Sequence, residues 1–134
     1  MKQKMPTVGE FMTRSPIAIP HDQPLSLAEQ TMRDKGVRHL PVTENGRLVG
    51  LLSQRNVRAA LLTRAGAAFL AKDAMVPDPF VTTADTPLDV VANTMAEDKY
   101  GSVVLMDSQK NILGIFTTVD ACRALRQLLQ DTHV

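Results

Sequence analysis

The chain repeats itself, and this constrains its fold more than any other feature of its 134 residues. Displaced by 63 positions, Met12 falls on Met75, Pro16 on Pro79, Asp22 on Asp85, Pro24-Leu25 on Pro87-Leu88, and Thr31-Met32 on Thr94-Met95. Past the loop near Glu44 and Asp107 the offset becomes 64, and residues 48–53 fall on 112–117. One residue added in a surface turn accounts for the change. Matches that keep order and include prolines and a glycine are the mark of a duplicated supersecondary unit. The first repeat spans residues 7–64 and the second 70–130, joined by Ala65-Gly66-Ala67-Ala68. A unit of about 60 residues is marginal alone. The two are therefore expected to pack face to face around one core.

Each repeat reads as β-α-β-β-α. A short helical turn precedes Met12 or Met75, and an extended piece follows at residues 16–19 or 79–82. Pro24 and Pro87 suit the first position of the next helix, where a missing N–H costs nothing. Thr86 is a good cap before Pro87, and Gln23 a poorer one. Leu25, Ala28 and Met32 share a helical face, as do Leu88, Val91 and Met95. Leu40 and Val42, and in phase with them Val103 and Leu105, alternate as strand residues. Asn45-Gly46 signals a two-residue hairpin, and residues 107–111 a looser turn. Closing helices are expected over 55–63 and 119–129, the latter with Cys122, Leu125 and Leu129 on one face. The class is α/β, an α+β sandwich of two small sheets with helices outside.

Composition removes several functions. A formal net charge of +1 gives no global attraction to nucleic acid or membrane, and 4% aromatic residues make a poor base-stacking surface. No apolar run approaches the roughly 20 residues of a membrane span. The basic start, Met1-Lys2-Gln3-Lys4, lacks the apolar stretch of a secretory signal. The single cysteine, Cys122, forbids an internal disulfide and is read as a buried, inert thiol in a cytoplasmic protein. No nucleophile-and-base signature, Walker-type phosphate loop or metal-ligand spacing stands out, so neither an enzyme nor a required cofactor is expected.

Three local signatures, each occurring twice in order, carry a family resemblance. They are residues 10–16 (Glu-Phe-Met-Thr-Arg-Ser-Pro) with 73–79, residues 36–42 (Gly-Val-Arg-His-Leu-Pro-Val) with 100–105, and residues 50–56 (Gly-Leu-Leu-Ser-Gln-Arg-Asn) with 114–120. The chain thereby resembles the cystathionine-β-synthase (CBS) repeat, which occurs in tandem as the Bateman module. The resemblance implies two repeats packed pseudo-symmetrically as one module. It also implies a homodimer and a regulatory role exerted on another protein. The implied ligand is adenosine-bearing, such as AMP, ADP, ATP or S-adenosylmethionine, held in clefts between the repeats.

On that resemblance Asp120 is the ribose residue, because a carboxylate accepts from both vicinal hydroxyls. Thr117, at the preceding strand-to-helix corner, is its partner. The alternative is that Thr117 caps the last helix and Asp120 favours its first turn. In the first repeat Ser53 matches Thr117, but Asn56 stands where Asp120 does, so that site is expected to be weaker or empty. Adenine contacts are expected from Ile17, Ala18 and Ile19 and from Phe80, Val81 and Thr82, with Val37 and Val103 lining the base pocket. Arg38 and His39 are the phosphate candidates, Arg38 first because its planar fork stays charged. Two other functions are weighed against ligand binding. One is a ligand-free dimerisation adaptor; the other, with less support, is a nucleic-acid accessory protein drawing on the basic first repeat.

Overall fold

The structure, a computed structural model, describes residues 4–14, 17–63 and 65–133. Pro16, expected to open the first extended piece, and Arg64, the expected end of the first repeat, lie outside the described residues, as do Met1, Lys2 and Gln3.

The elements follow the duplicated order. In the first half they are β1 (Thr13–Arg14), β2 (Ile19–Pro20), α1 (Leu25–Lys35), β3 (His39–Glu44), β4 (Arg47–Ser53) and α2 (Gln54–Leu61). In the second half they are α3 (Ala71–Ala74), β5 (Val76–Pro77), β6 (Val81–Thr83), α4 (Leu88–Asp98), β7 (Ser102–Met106), β8 (Ile112–Thr117) and α5 (Thr118–Thr132). Short 3-10 turns at Val8–Glu10 and Gly66–Ala68 complete the pattern. Pro24 and Pro87 sit one position earlier than expected. Both are N-caps with ψ of 142° and 138°, outside the helical region, and Thr86 bonds Thr82 instead of capping.

The chain divides into two compact units whose boundaries cross the repeats. Unit 1 comprises residues 1–16 and 80–134, and unit 2 residues 17–79. The opening segment of each repeat thus joins the other repeat's sheet. In unit 1 the strand order is β1-β8-β7-β6; in unit 2 it is β2-β3-β4-β5. β1 runs antiparallel to β8 with Thr13 opposite Ile115, and β5 antiparallel to β4 with Val76 opposite Leu51. The repeated glycine makes this possible. A Cβ on Gly114 would lie 2.5 Å from the carbonyl oxygen of Thr13, and one on Gly50 would collide with Met75.

Buried residues form two clusters rather than the single core expected from the repeat. Unit 2 packs Ile19, Leu25, Ala28, Met32, Leu40, Leu52 and Val57; unit 1 packs Val8, Leu88, Val91, Met95, Val103, Leu105 and Phe116. The helix faces read from the sequence supply both. The strands are more buried than alternation implies, since Pro41 and Val104 are buried alongside their neighbours. Each lies on an internal strand, and strands covered on both sides lose the period-two signal. The hairpin at Asn45 (φ 51°) and Gly46 (φ 80°) has both central residues left-handed, as a type I′ turn requires.

Candidate functional site

The β8–α5 corner of unit 1 holds the only buried charged side chain among the described residues, Asp120, at 3% exposure. Thr117 ends β8 in extended geometry and caps α5, its Oγ1 accepting from the Asp120 N–H at 3.4 Å. Asp120 reaches back: its Oδ2 accepts from the Thr117 N–H at 2.9 Å and the Thr117 hydroxyl at 3.2 Å. This reciprocal arrangement is a capping box, which satisfies helix-end donors that burial would otherwise leave orphaned.

The other carboxylate oxygen faces elsewhere. Asp120 Oδ1 accepts from the hydroxyl of Thr13 at 2.9 Å. Arg123 reaches the same oxygen at 3.4 Å with a side chain 62% exposed, a geometry that contributes little in water. Thr13 was not singled out in the sequence, although it lies inside the first signature. Its register opposite Ile115 on β8 brings its hydroxyl to the corner.

Unit 2 builds the same corner from other chemistry. Ser53 caps α2, accepting from the Asn56 N–H at 3.1 Å. Asn56 replaces the carboxylate, and Val76, paired on β4 as Thr13 is on β8, replaces the hydroxyl. Both members of this polar pair, the buried carboxylate and the exposed hydroxyl, are therefore changed together, and the cap alone remains.

The other expected ligand residues fall within one unit or the other. Ile17, Ala18 and Ile19 lie at the β2 edge of unit 2; Ile17 and Ala18 are half-buried, and Ile19 is in the core. Val37 is half-buried against that core. Arg38 is exposed, its carbonyl accepting from the Gln54 N–H at 2.8 Å, and His39 pairs with Ser53 across β3 and β4. Unit 2 thus gathers Arg38, His39, Ser53 and Asn56 at one end of its sheet. In unit 1, Phe80, Val81 and Thr82 lie on or beside β6, at the edge opposite β1, so they stand two strands away from β8. Phe80 stacks on Tyr100 with ring centroids 5.1 Å apart. Val103 is wholly buried within the core of unit 1.

One reading of α5 is corrected. Cys122 is exposed, and so are Leu125 (58%) and Leu129 (51%), which do share a face with it. The inward face carries Asp120 and Ala124, with Ala121 and Leu128 packed against the core. Two stripes with helical spacing coexist on this helix, and the buried one contains the aspartate. Among the described residues no group of three or more His, Cys, Asp and Glu side chains is placed to hold a metal ion. No helix among them is long and apolar enough to cross a membrane.

Comparison with known proteins places these corners in a family. The CBS domain model matches the chain twice, over residues 8–63 and 71–127. An uncharacterized protein of Methanocaldococcus jannaschii is 24% identical over 117 residues, covering 87% of this chain and 43% of that protein. The L-aspartate semialdehyde sulfurtransferase of the same organism is 24% identical over 124 residues, covering 92% of this chain and 24% of its own length. The chain thus spans less than half the length of these curated relatives. Among solved structures, CBSX2 of Arabidopsis thaliana is 25% identical with a TM-score of 0.75, covering 95% of this chain and 99% of that one. A structure of CBSX2 in complex with AMP is 26% identical with a TM-score of 0.72, covering 92% and 98%. With its two matched domains accounting for most of its residues, the chain belongs to the CBS domain family.

Proposed function

We propose that this chain is a regulatory module without catalytic activity, and that Asp120 holds the ribose of an adenosine-bearing ligand. The observation that carries the reading is the held carboxylate. Asp120 is buried, its Oδ2 is fixed by the backbone of Thr117, and its Oδ1 accepts from the Thr13 hydroxyl at 2.9 Å and, at 3.4 Å, from the exposed Arg123 guanidinium. A ribose diol replaces that hydroxyl with groups of the same chemistry, so the carboxylate need not be reoriented when the ligand arrives. The AMP complex of CBSX2 supports the ligand class.

For the rest of the ligand, unit 1 offers the backbone and apolar groups of Phe80, Val81 and Thr82 to an adenine ring, above the packing supplied by Val103. For a ligand of its own, unit 2 offers Ile17, Ala18 and Ile19 with Val37 to the adenine, and Arg38, with His39 beside it, to phosphate. Ser53 and Asn56 make unit 2 the weaker ribose site, because an amide carries no charge and one acceptor fewer. AMP, ADP, ATP and S-adenosylmethionine all fit this description. The signal is read by another protein, and a second copy of the chain is proposed to dock on the exposed apolar face of α5. A cytoplasmic location accompanies the reading, since a single cysteine offers no disulfide framework within the chain.

The test is calorimetric titration with AMP and with 2′-deoxyadenosine monophosphate. Removing the 2′ hydroxyl takes away one bond to a carboxylate, so affinity falls by roughly 10-fold or more. Equal affinities would remove Asp120 from the ribose. One observation favours a second reading, the ligand-free adaptor: both oxygens of Asp120 already have protein donors. A thermal-shift series separates the two. A ligand at 100 times its dissociation constant adds about 2.7 kcal/mol of stability, whereas an adaptor gives no shift.

A further inference from the structure

The contact between Thr13 and Asp120 joins an exposed residue to a buried one. Asp120 is 3% exposed, whereas both residues of β1, Thr13 and Arg14, are exposed. Breaking the bond therefore has different consequences at its two ends. The threonine hydroxyl turns to water. The carboxylate oxygen needs another donor, because a buried acceptor left unmet carries its full desolvation cost. Asp120 Oδ2 already has the N–H and the hydroxyl of Thr117, at 2.9 and 3.2 Å. Oδ1 has Thr13 at 2.9 Å and, beyond it, only the long contact from the exposed Arg123 at 3.4 Å.

The duplication separates this hydroxyl from the needs of the strand. In unit 2, β5 pairs antiparallel with β4 through two residues, as β1 does with β8. Val76 stands opposite Leu51 there as Thr13 stands opposite Ile115. A strand in this position thus forms with valine. The threonine is present where the carboxylate is, and absent where Asn56 replaces it.

We infer that Thr13 is a built-in competitor for the ligand of Asp120, lowering the affinity of this corner and setting what a ligand must bring to it. The inference rests on the ribose reading of Asp120. In the unligated chain the hydroxyl fills the place at Oδ1 that a ribose hydroxyl takes. Apparent affinity is then reduced by the fraction of molecules in which that place is open. A ligand with one hydroxyl exchanges one donor for another and gains little. A vicinal diol brings a second donor to a carboxylate with acceptor sites on both oxygens, so the competition favours a ribose over a simple alcohol.

The test is calorimetric titration of AMP into the native chain and into Thr13→Val. The variant is expected to bind about tenfold more tightly, although without ligand it is the less stable of the two. These opposite signs distinguish a competitor from a residue that merely positions Asp120, whose loss would weaken both stability and binding. Thr13→Ser restores the hydroxyl and returns the affinity toward the native value. If Thr13→Val fails to fold by circular dichroism, the native chain carries the test by NMR. The Thr13 methyl resonance then moves on saturation with AMP, while that of Thr132, at the far end of α5, stays in place. Affinity of Thr13→Val equal to or below the native value, or a Thr13 resonance unmoved at saturation, overturns the inference and leaves the ribose reading standing. A native chain that does not bind AMP overturns both.

Discussion

The hydroxyl of Thr13 donates to Asp120 Oδ1 at 2.9 Å, across 107 residues of sequence. The bond ties a two-residue strand at the edge of the unit 1 sheet to the first turn of the last helix. It has no counterpart in unit 2, where Val76 and Asn56 occupy the two positions. A buried carboxylate that loses a donor keeps its desolvation cost and loses its compensation.

Thr13→Val tests that coupling. Valine keeps the β-branched shape and is the residue unit 2 itself uses. The variant is expected to lose on the order of 1–2 kcal/mol, read as a lower urea midpoint with an unchanged slope. A midpoint equal to that of the native chain would mean that Thr13 does not stabilise Asp120.

Leu125→Glu tests the proposed second copy. Val119, Leu125 and Leu129 are each more than half exposed on one face of α5, with Cys122 among them. A contiguous apolar face of this kind marks an interaction surface. Light scattering is expected to give a dimer for the native chain and a monomer for the variant, with helix content unchanged because Leu125 contributes nothing to the core. A native monomer at micromolar concentration would contradict the assignment.

The looser turn of the second repeat makes a pH prediction. Asp107 accepts from the backbone N–H of Asn111 at 2.8 Å, its side-chain amide at 3.0 Å, and the Gln109 N–H at 2.8 Å. The Asn111 backbone bond, then its amide, hold the carboxyl below its ordinary value of 3.8. The folded value lies below the unfolded one, so the turn's stabilisation is complete above pH about 4. It is lost as pH falls through the folded value. A carboxyl titration followed by NMR should place Asp107 below 3.8, and Asn111→Ala should move it up. A midpoint at or above 3.8 in the native chain would contradict the turn geometry.

The duplication made most of the fold legible. Paired Leu, Ala or Val, and Met positions marked the core faces of α1 and α4, and Asn45-Gly46 marked its hairpin. The matched Gly50 and Gly114 were visible too, although their reason, the close passage of β5 and β1, was not. Strands of two residues carry no periodicity, so nothing in the sequence said that each repeat's opening segment joins the other repeat's sheet. Thr13 was missed for that reason. Cys122 was misread as buried because the apolar stripe it shares with Leu125 and Leu129 is stronger by side-chain type than the one through Ala121, Ala124 and Leu128. Asp120 belongs to the weaker stripe, and only its place in the repeat marked it out.

The central claim rests on Asp120, and one calorimetric comparison addresses it most directly. AMP is titrated into the native chain and into Asp120→Ala, with Asn56→Ala as the matched change in unit 2. Loss of a charge-assisted bond of roughly 1.5–3 kcal/mol predicts 10- to 100-fold weaker binding for Asp120→Ala, and a smaller loss for Asn56→Ala. Equal losses in the two variants, or AMP binding unchanged by Asp120→Ala, would contradict the account.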